Sequence, residues 1–442
     1  MMKLLKKLSL VLAAVMAVTV GGFAVGCAPA DEGDVNNPPI EKPDDGNPDE
    51  TPGGENPGGE NPGGDEELQT HDLHSLLQND GTALRHNIID DDLGDTADLL
   101  APGRCEYCGY ETGFRQTPLM RTDYLLEPIS NGHAGTVEKF EYNTKAYFLQ
   151  EAEGLTDEQA ALTKTAYVYL PYGYDPADTE TKYELLILVH GSGLDETYWF
   201  AQGYTDENGV QIGYVPEDNN YTGGFGTMNV LDKMMDSGMA KKTIVVTPTF
   251  YGVPEWYKEE NNIENNEQQN GLGNIPGNFG HELINDLLPA LAKEYNTYAE
   301  VTDDMTADEI DAELKANRDH QAYAGLSMGS MTSFSSVWTY CLEYFAYVGS
   351  YSGGGGSQEI VDNYNQNYSD CEIKYWYVGY GSAEGWQSAF ESFMTMKEGV
   401  GLTAGLEDPE ANCDFVLSNR TAHNYATWIT CLYNTMQVFF QR

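Results

Sequence analysis

The stretch QAYAGLSMGS, residues 321–330, decides the fold that this sequence predicts. Its first four residues are typical of the end of a buried strand, and residues 330–344 place large apolar side chains on one face of a helix. Between them, Gly325 to Gly329 have the pattern G-x-S-x-G, which in a strand-turn-helix context indicates a nucleophile elbow. Such a turn lifts the serine, here Ser327, out of the backbone, and it needs glycines because flanking side chains would clash. The pentapeptide alone is weak evidence in a chain with 47 glycines, so the prediction depends on the strand and the helix around it.

Strands and helices alternate on both sides of this elbow. The continuous apolar run at 185–189 is typical of a strand that is buried on both faces of a sheet. Alternating strands and helices predict a mostly parallel sheet that is covered by helices on both faces. The predicted strands are 136–142, 165–170, 185–189, 243–247, 321–324, 347–351, 373–379 and 414–417, and the predicted helices are 229–235, 282–295, 330–344, 388–397 and 425–440.

Two long polar segments, 214–226 and 257–279, interrupt this alternation. Both are rich in Asn and Gly, and neither has a clear hydrophobic period. Loops of this length in a compact domain are usually functional or disordered. We therefore predict that the two segments form walls of a substrate cleft.

The chain opens with a targeting segment, residues 1–27. Three lysines lie within its first seven residues, and the apolar run at 8–25 is short for a membrane span. The run ends in a sequence similar to a bacterial lipobox, in which Cys27 would be lipidated. Ala24 stands where that pattern usually has leucine, so ordinary secretory cleavage is the alternative. Both predict export, and the first predicts an extracellular protein that is lipid-anchored at the bacterial cell surface.

Three further regions follow the targeting segment. Residues 28–68 are dense in Pro, Gly, Asn, Asp and Glu, so they predict a disordered linker with almost no apolar surface to bury. Residues 69–134 contain one short helical pattern at 71–77, and we interpret them as an N-terminal extension packed on the main domain. Residues 135–442 are long enough to form a single catalytic domain with a sizeable core.

The charge of the chain excludes several kinds of partner. With 70 acidic and 23 basic residues, the formal net charge is −47. Phosphates would be repelled, which argues against binding of nucleic acid or of an anionic membrane by the domain itself. We expect a monomer that touches a membrane only through its N-terminal lipid.

The seven cysteines leave several possibilities open. If Cys27 carries lipid, six remain, and six cysteines in an exported protein allow fifteen disulfide pairings. Cys105 and Cys108 form a C-x-x-C pair that suits a small disulfide, free thiols, a redox motif, or a zinc site completed by His71 and His74. That spacing matches no established zinc pattern, and we expect neither metal nor cofactor. The six cysteines are Cys105, Cys108, Cys341, Cys371, Cys413 and Cys431.

A serine nucleophile needs a base within reach and an acid that orients the base. In folds with this elbow the acid and then the histidine follow the serine, each at the end of a strand. Of the eight histidines only His423 follows Ser327, so it is the predicted base. Glu384 follows the strand 373–379 and is the predicted acid. Four aspartates also lie between serine and histidine, but none follows a clear strand end: Asp362, Asp370, Asp408 and Asp414.

An oxyanion hole requires two backbone N–H groups that point at the developing negative charge. The amide of Met328, directly after the nucleophile, is one candidate. The loop that follows strand 185–189 offers the other, with Ser192 as donor, and His190 and Gly191 would border the substrate. Three tryptophans are candidates to stack on an aromatic acyl group: Trp199, Trp386 and Trp428.

Taken in order, these motifs resemble the feruloyl esterases and related acyl esterases of carbohydrate esterase family one. The resemblance covers about 135–442 and implies the α/β-hydrolase fold, with Ser327 as nucleophile, His423 as base and Glu384 as acid. It also implies a plant cell-wall ester, feruloylated arabinoxylan or its oligosaccharides, as the substrate. The family's acid is usually aspartate, whereas this chain has glutamate. The matching pieces are VYLPYGY at 168–174, LVHG at 188–191, IVVTPT at 244–249, the segment 282–295, AGLSMGS at 324–330, and His423 with Trp428 five residues on.

Two alternatives remain open at the level of sequence. The same residues would serve an acetylxylan esterase, or an acyltransferase similar to the mycolyltransferases that admits a sugar acceptor in place of water. From another class, a catalytically inactive glycan-binding lipoprotein could keep the fold. The retained order of serine, acid and histidine favours an enzyme.

Overall fold

A computed structural model describes residues 128–200, 226–404, 411–418 and 421–441, and the backbone of three short strands before them. Those strands are β1 (Ile88–Ile89), β2 (Arg104–Cys105) and β3 (Arg115–Thr117). The predicted targeting segment with Cys27, the linker 28–68, the helix 71–77 and nearly all of the loop 214–226 lie outside the described residues. Within the described part of the chain, no helix is both long enough and apolar enough to cross a membrane.

The central element is a nine-stranded sheet with the strand order β3-β11-β10-β9-β8-β6-β7-β5-β4. All neighbouring pairs from β3 to β7 are parallel, whereas β5 runs antiparallel to both β7 and β4. The predicted mostly parallel sheet is therefore confirmed. The remaining strands are β4 (Thr136–Lys145), β5 (Ala161–Leu170), β6 (Glu184–Val189), β7 (Thr243–Thr247), β8 (Gln321–Leu326), β9 (Tyr347–Tyr351), β10 (Tyr375–Gly381) and β11 (Cys413–Ser418).

Helices cover both faces of this sheet because successive side chains of its central strands point to opposite sides. In β6, Leu185 and Ile187 belong to one apolar core and Leu186 to the other. Trp338 packs into the first core and Ile429 into the second, each from a helix on its own face. The helical segments are Tyr147–Glu153, Asp157–Ala160, Thr227–Asp236, Glu255–Asn261, Glu267–Gly271, Ile275–Glu282, Leu283–Leu287, Leu288–Glu294, Ala307–Ala316, Arg318–His320, Met328–Thr332, Ser333–Cys341, Gln358–Asn367, Gln387–Gly399 and Tyr425–Val438.

The polar segment 257–279 differs from the prediction, because it is folded rather than a long loop. It contains most of the helix Glu255–Asn261, the 3-10 turn Glu267–Gly271 and the start of the helix Ile275–Glu282. The side chain of Asn274 caps that last helix by accepting a hydrogen bond from the Gly277 amide. Asparagines that were interpreted as loop residues therefore also act as helix caps and as hydrogen-bonding residues.

Candidate active site

The predicted elbow is present at the carboxyl end of β8. Ser327 has φ 50° and ψ −112°, a conformation that side-chain-bearing residues rarely adopt. A Cβ atom added to Gly325 would lie 2.5 Å from the backbone carbon of Gly329, and one added to Gly329 would lie 2.5 Å from the His190 carbonyl oxygen. Both glycines are therefore required by close backbone approach.

The structure brings the side chains of Ser327, His423 and Glu384 together. The Nε2 atom of His423 is 3.0 Å from the Ser327 hydroxyl oxygen, and its Nδ1 atom is 2.9 Å from Glu384 Oε2. A carboxylate only accepts hydrogen bonds, so Nδ1 carries the proton and Nε2 presents a lone pair to the serine hydroxyl. This is the arrangement in which an imidazole can act as a general base.

Glu384 lies at the closed end of this chain of hydrogen bonds. Its side chain is 6% exposed, whereas that of His423 is 50% exposed. Its second oxygen, Oε1, accepts hydrogen bonds from the Ser352 hydroxyl at 2.7 Å and from the Gly381 amide at 2.6 Å. Because both oxygens are held, the carboxylate has one orientation, and it can stabilise an imidazolium on His423.

Local backbone contacts fix the acid and the base relative to each other. Glu384 lies in the turn after β10, and His423 lies between β11 and the helix Tyr425–Val438. The Ala383 amide donates to the carbonyl of Thr421, two residues before His423, at 2.9 Å. Asn424 caps the following helix by accepting from the Thr427 amide. The turn and the loop are thus tied together and meet Ser327 at the carboxyl edge of the parallel strands.

The 190–194 loop, which follows β6, lies against the nucleophile. A Cβ atom added to Gly191 would be 2.7 Å from Leu326 Cδ1 and 3.1 Å from the Cβ of Ser327, so a side chain there would displace its neighbours. The Met328 amide is the first of the helix Met328–Thr332 and has no acceptor within that helix. The two amides that were predicted to bind an oxyanion, those of Met328 and Ser192, thus belong to segments that flank Ser327.

His190 was predicted to border the substrate, and the structure places its side chain in the interior. The side chain is 1% exposed and lies beneath the 190–194 loop. Its Nδ1 atom donates to the Gly191 carbonyl at 2.7 Å, and its Nε2 atom accepts from the Thr249 hydroxyl at 2.8 Å. Burial lowers the pKa of His190 to about 3, so the ring is neutral and supports the loop from below.

The three tryptophans also differ from the prediction that they stack on an acyl group. Trp199 and Trp386 are 0% and 1% exposed, and both are packed in the apolar cores. Trp428 is 7% exposed and meets the His423 ring edge-on, with the ring centroids 5.2 Å apart. Their apolar surface is used in the core, and the ring of Trp428 packs against the His423 ring.

Sequence reasoning missed three polar residues of this region. Ser352 holds the carboxylate of Glu384, and its position directly after β9 is a signal that could have identified it. The Tyr251 hydroxyl lies 3.0 Å from the Gly193 amide, and the Asn270 side chain lies 2.9 Å from the Ser192 hydroxyl. Neither Tyr251 nor Asn270 belongs to a recognisable motif, so no pattern pointed to them.

Among the described residues, no group of three or more His, Cys, Asp and Glu side chains is arranged to hold a metal ion. Cys341, Cys371 and Cys431 are thiols and form no disulfide, and burial raises the pKa of each of them. Cys413 lies within β11. The side chains of the C-x-x-C pair, Cys105 and Cys108, are outside the described residues.

The buried His190 predicts a specific acid sensitivity. An unfolded histidine has a pKa near 6.5, and the folded value is about 3, so the unfolded state binds one more proton between these values. The contribution of the neutral His190 ring to the free energy of unfolding is complete above about pH 6.5. It falls by roughly 1.4 kcal/mol per pH unit below that value. Between pH 7 and pH 5, we expect the free energy of unfolding of the parent to fall by about 2 kcal/mol more than that of His190→Gln. Urea unfolding at the two pH values measures this difference, and equal losses in the two proteins would contradict it.

Part of the chain is similar in sequence to known proteins. Residues 162–355 match the family described as "Putative esterase". The endo-1,4-beta-xylanase Y of Acetivibrio thermocellus is 32% identical over 192 residues, which are 43% of this chain and 13% of that protein. The endo-1,4-beta-xylanase/feruloyl esterase of Xylanibacter ruminicola is 28% identical over 291 residues, which are 64% of this chain and 30% of that protein. The chain thus spans less than a third of the length of either relative.

Two solved structures have a similar fold. One is described as FAE, and the other is the feruloyl esterase module of Clostridium thermocellum in complex with sinapinate. Each has a TM-score of 0.51 and 23% identity, and each match covers 75% of this chain and 95% or 94% of the other. The α/β-hydrolase fold is therefore confirmed, as is the resemblance to the esterase family that the motifs indicate.

Proposed function

We propose, from the match of residues 162–355 to an esterase family, that this protein is a serine carboxylic-ester hydrolase of the feruloyl esterase type. The observation that carries the proposal is the continuous contact from Glu384 through His423 to Ser327, at 2.9 and 3.0 Å. A chain of carboxylate, imidazole and hydroxyl in this order activates a serine for attack on an acyl carbon. Ser327 lies in a tight turn at the carboxyl end of β8 and is partly exposed.

The reaction proceeds through an acyl-enzyme. Ser327 attacks the ester carbonyl while its proton moves to Nε2 of His423, and Glu384 stabilises the resulting imidazolium. The amides of Met328 and Ser192 bind the tetrahedral oxyanion. The C–O bond to the alcohol then breaks, and the alcohol leaves with the proton from His423. Water repeats the sequence on the acyl-enzyme, which releases the acid and restores Ser327.

We propose a hydroxycinnamoyl ester of plant cell-wall arabinoxylan as the substrate. Support comes from the relative named as a xylanase and feruloyl esterase, and from the solved feruloyl esterase module with bound sinapinate. The side chain of His423 is half exposed, as contact of the base with a large polymer requires. We further propose that the protein is an exported monomer, anchored by lipid on Cys27, in keeping with its basic and apolar N-terminal segment.

A panel of three esters tests the proposal: methyl ferulate, p-nitrophenyl acetate and feruloylated arabinoxylan. We expect turnover of all three, with the highest kcat/KM on the feruloyl esters. Stoichiometric labelling by a fluorophosphonate should abolish turnover, and mass spectrometry should find the adduct on the peptide that contains Ser327. Full activity after complete labelling would overturn the mechanism.

The same panel separates the alternatives. Strong activity on the acetate with little on the feruloyl esters would favour an acetyl esterase. Transfer of the acyl group to an added sugar alcohol would indicate an acyltransferase. Binding to xylan with no turnover of any ester would indicate a glycan-binding protein and overturn the proposed activity.

A further inference from the structure

The 190–194 loop forms hydrogen bonds with side chains that are distant from it in sequence. The Gly193 amide donates to the Tyr251 hydroxyl at 3.0 Å, and that hydroxyl donates to Oδ1 of Asn270 at 2.5 Å. Nδ2 of Asn270 in turn donates to the Ser192 hydroxyl oxygen at 2.9 Å. The Gly193 amide can only donate, so the Tyr251 hydroxyl accepts from it. The single hydroxyl proton faces Oδ1 of Asn270 at 2.5 Å and the Met328 sulfur at 3.7 Å, and the nearer carbonyl oxygen is the stronger acceptor.

Asn270 belongs to the polar segment 257–279, and two more side chains of this segment form hydrogen bonds with nearby backbone groups. Nδ2 of Asn266 donates to the Leu194 carbonyl at 3.0 Å. The Gly252 amide donates to Oε1 of Gln269, which is 3% exposed, at 3.0 Å. Three side chains around the 3-10 turn Glu267–Gly271 thus reach the 190–194 loop and the turn after β7. They are Asn266, Gln269 and Asn270.

The 190–194 loop needs such support because its own sequence gives it little rigidity. Gly191 and Gly193 lack side chains, and Gly193 has φ +73°. Ser192 and Gly193 are exposed, so packing does not fix their backbone. An oxyanion donor is effective only when its N–H already points at the developing charge, since reorientation during the reaction costs free energy. Contacts to the Ser192 side chain, the Gly193 amide and the Leu194 carbonyl restrict the chain directly after the candidate donor. The peptide unit that contains the Ser192 amide is itself held by the hydrogen bond from the His190 ring to the Gly191 carbonyl.

We propose that Asn270, together with Tyr251, is a positioning residue that orients the Ser192 amide for oxyanion binding. The hydrogen bonds from this polar segment to the 190–194 loop then form a brace, which holds the loop in one conformation. This inference rests on the proposed function. It predicts that loss of the brace affects the tetrahedral state and leaves ground-state binding of the ester unchanged, whatever the acyl group.

Asn270→Ala tests the brace, with Asn265→Ala as a matched control. Asn265 lies in the same segment, and its side chain accepts from the Gln268 amide within that segment. In Asn270→Ala we expect kcat to fall by about 10-fold on both methyl ferulate and p-nitrophenyl acetate, with KM unchanged; loss of a whole oxyanion donor would cost about 100-fold or more. Affinity for phenylboronic acid, which forms a tetrahedral adduct with the serine, should fall by the same factor. Tyr251→Phe should reproduce this pattern, and Asn265→Ala should match the parent.

Three results would overturn the inference. They are equal kinetics in Asn270→Ala and Asn265→Ala, a loss confined to KM, and a loss confined to one acyl group, which would make Asn270 a substrate contact. Absence of ester turnover in the parent would instead count against the proposed function. The rate of fluorophosphonate attack on Ser327 would then still test the brace, because negative charge also develops on the phosphoryl oxygen. An unchanged rate in Asn270→Ala would overturn it.

Discussion

Ser327→Ala is expected to lower kcat for ester hydrolysis by on the order of 10⁶-fold, the largest effect of any single substitution in this chain. The change removes one oxygen, which lies 3.0 Å from Nε2 of His423. The contact between His423 and Glu384 stays in place, but the hydroxyl that His423 would activate is lost. Residual hydrolysis above the uncatalysed rate should persist, because substrate binding and the oxyanion amides remain. Initial rates with p-nitrophenyl acetate over several hours would measure it.

The fold of this variant should be unchanged, because alanine keeps the Cβ atom that the 190–194 loop packs against. Ser335→Ala is the matched control. Its hydroxyl is exposed on the helical segment after the elbow and donates to the Met331 carbonyl. Ser335→Ala should retain the parent kcat, and both variants should unfold at the same temperature as the parent. Retention of more than about 1% of parent turnover by Ser327→Ala would contradict the proposed nucleophile.

The sheet and the contact of Glu384 and Ser327 with His423 could be predicted because their signals are local or follow from chain order. The run 185–189 is apolar on both sides, and it forms β6, buried along its whole length. The base needed no structural knowledge beyond the order of the partners, since only His423 follows Ser327. Glu384 was identified by its place after a strand, and its side chain is in reach of His423.

The substrate contacts could not be predicted in the same way, because a residue type does not reveal which way its side chain points. Trp386 follows the acid by two residues, but it packs against Phe390 and Phe415 in the core. His190 belongs to a motif that borders the nucleophile, but its ring turns beneath the loop and away from solvent. Burial of the apolar Trp386 ring stabilises the fold, whereas the His190 ring is held inside by its two hydrogen bonds, and only the packed structure shows either.

The support of the 190–194 loop was beyond sequence reasoning for a different reason. The hydrogen bond between Ser192 and Asn270 joins residues 78 positions apart, and the one between Tyr251 and Asn270 joins residues 19 apart. Such contacts have no period and no motif. The Asn-rich composition of 257–279 favours a loop by propensity, whereas tertiary hydrogen bonds and the cap at Asn274 fold it.

Glu384→Gln should be the second largest change, with kcat reduced by about 10⁴-fold while the shape of the site is kept. Oε1 of Glu384 accepts hydrogen bonds from the Ser352 hydroxyl and the Gly381 amide, so the carbonyl oxygen of glutamine would occupy that position. Its NH₂ group would then take the place of Oε2 and face Nδ1 of His423. An NH₂ group donates, so Nδ1 would have to accept and the ring proton would move to Nε2. In that tautomer His423 donates to Ser327 and cannot take its proton.

Glu384→Asp separates two effects of the acid: the acceptor that fixes the His423 tautomer, and the side-chain length that brings this acceptor to the ring. Aspartate keeps the charge and the acceptor, so the ring keeps its proton on Nδ1, but the side chain is one methylene shorter than the span that places Oε2 at 2.9 Å from Nδ1. We expect kcat to fall by about 10- to 100-fold, far less than in Glu384→Gln, with KM unchanged in both. Steady-state kinetics on methyl ferulate measures the two ratios. Equal losses in the two variants would mean that Glu384 acts through geometry alone, and parent-like activity in Glu384→Gln would remove it from the catalytic chain, because the structure leaves that variant no productive tautomer.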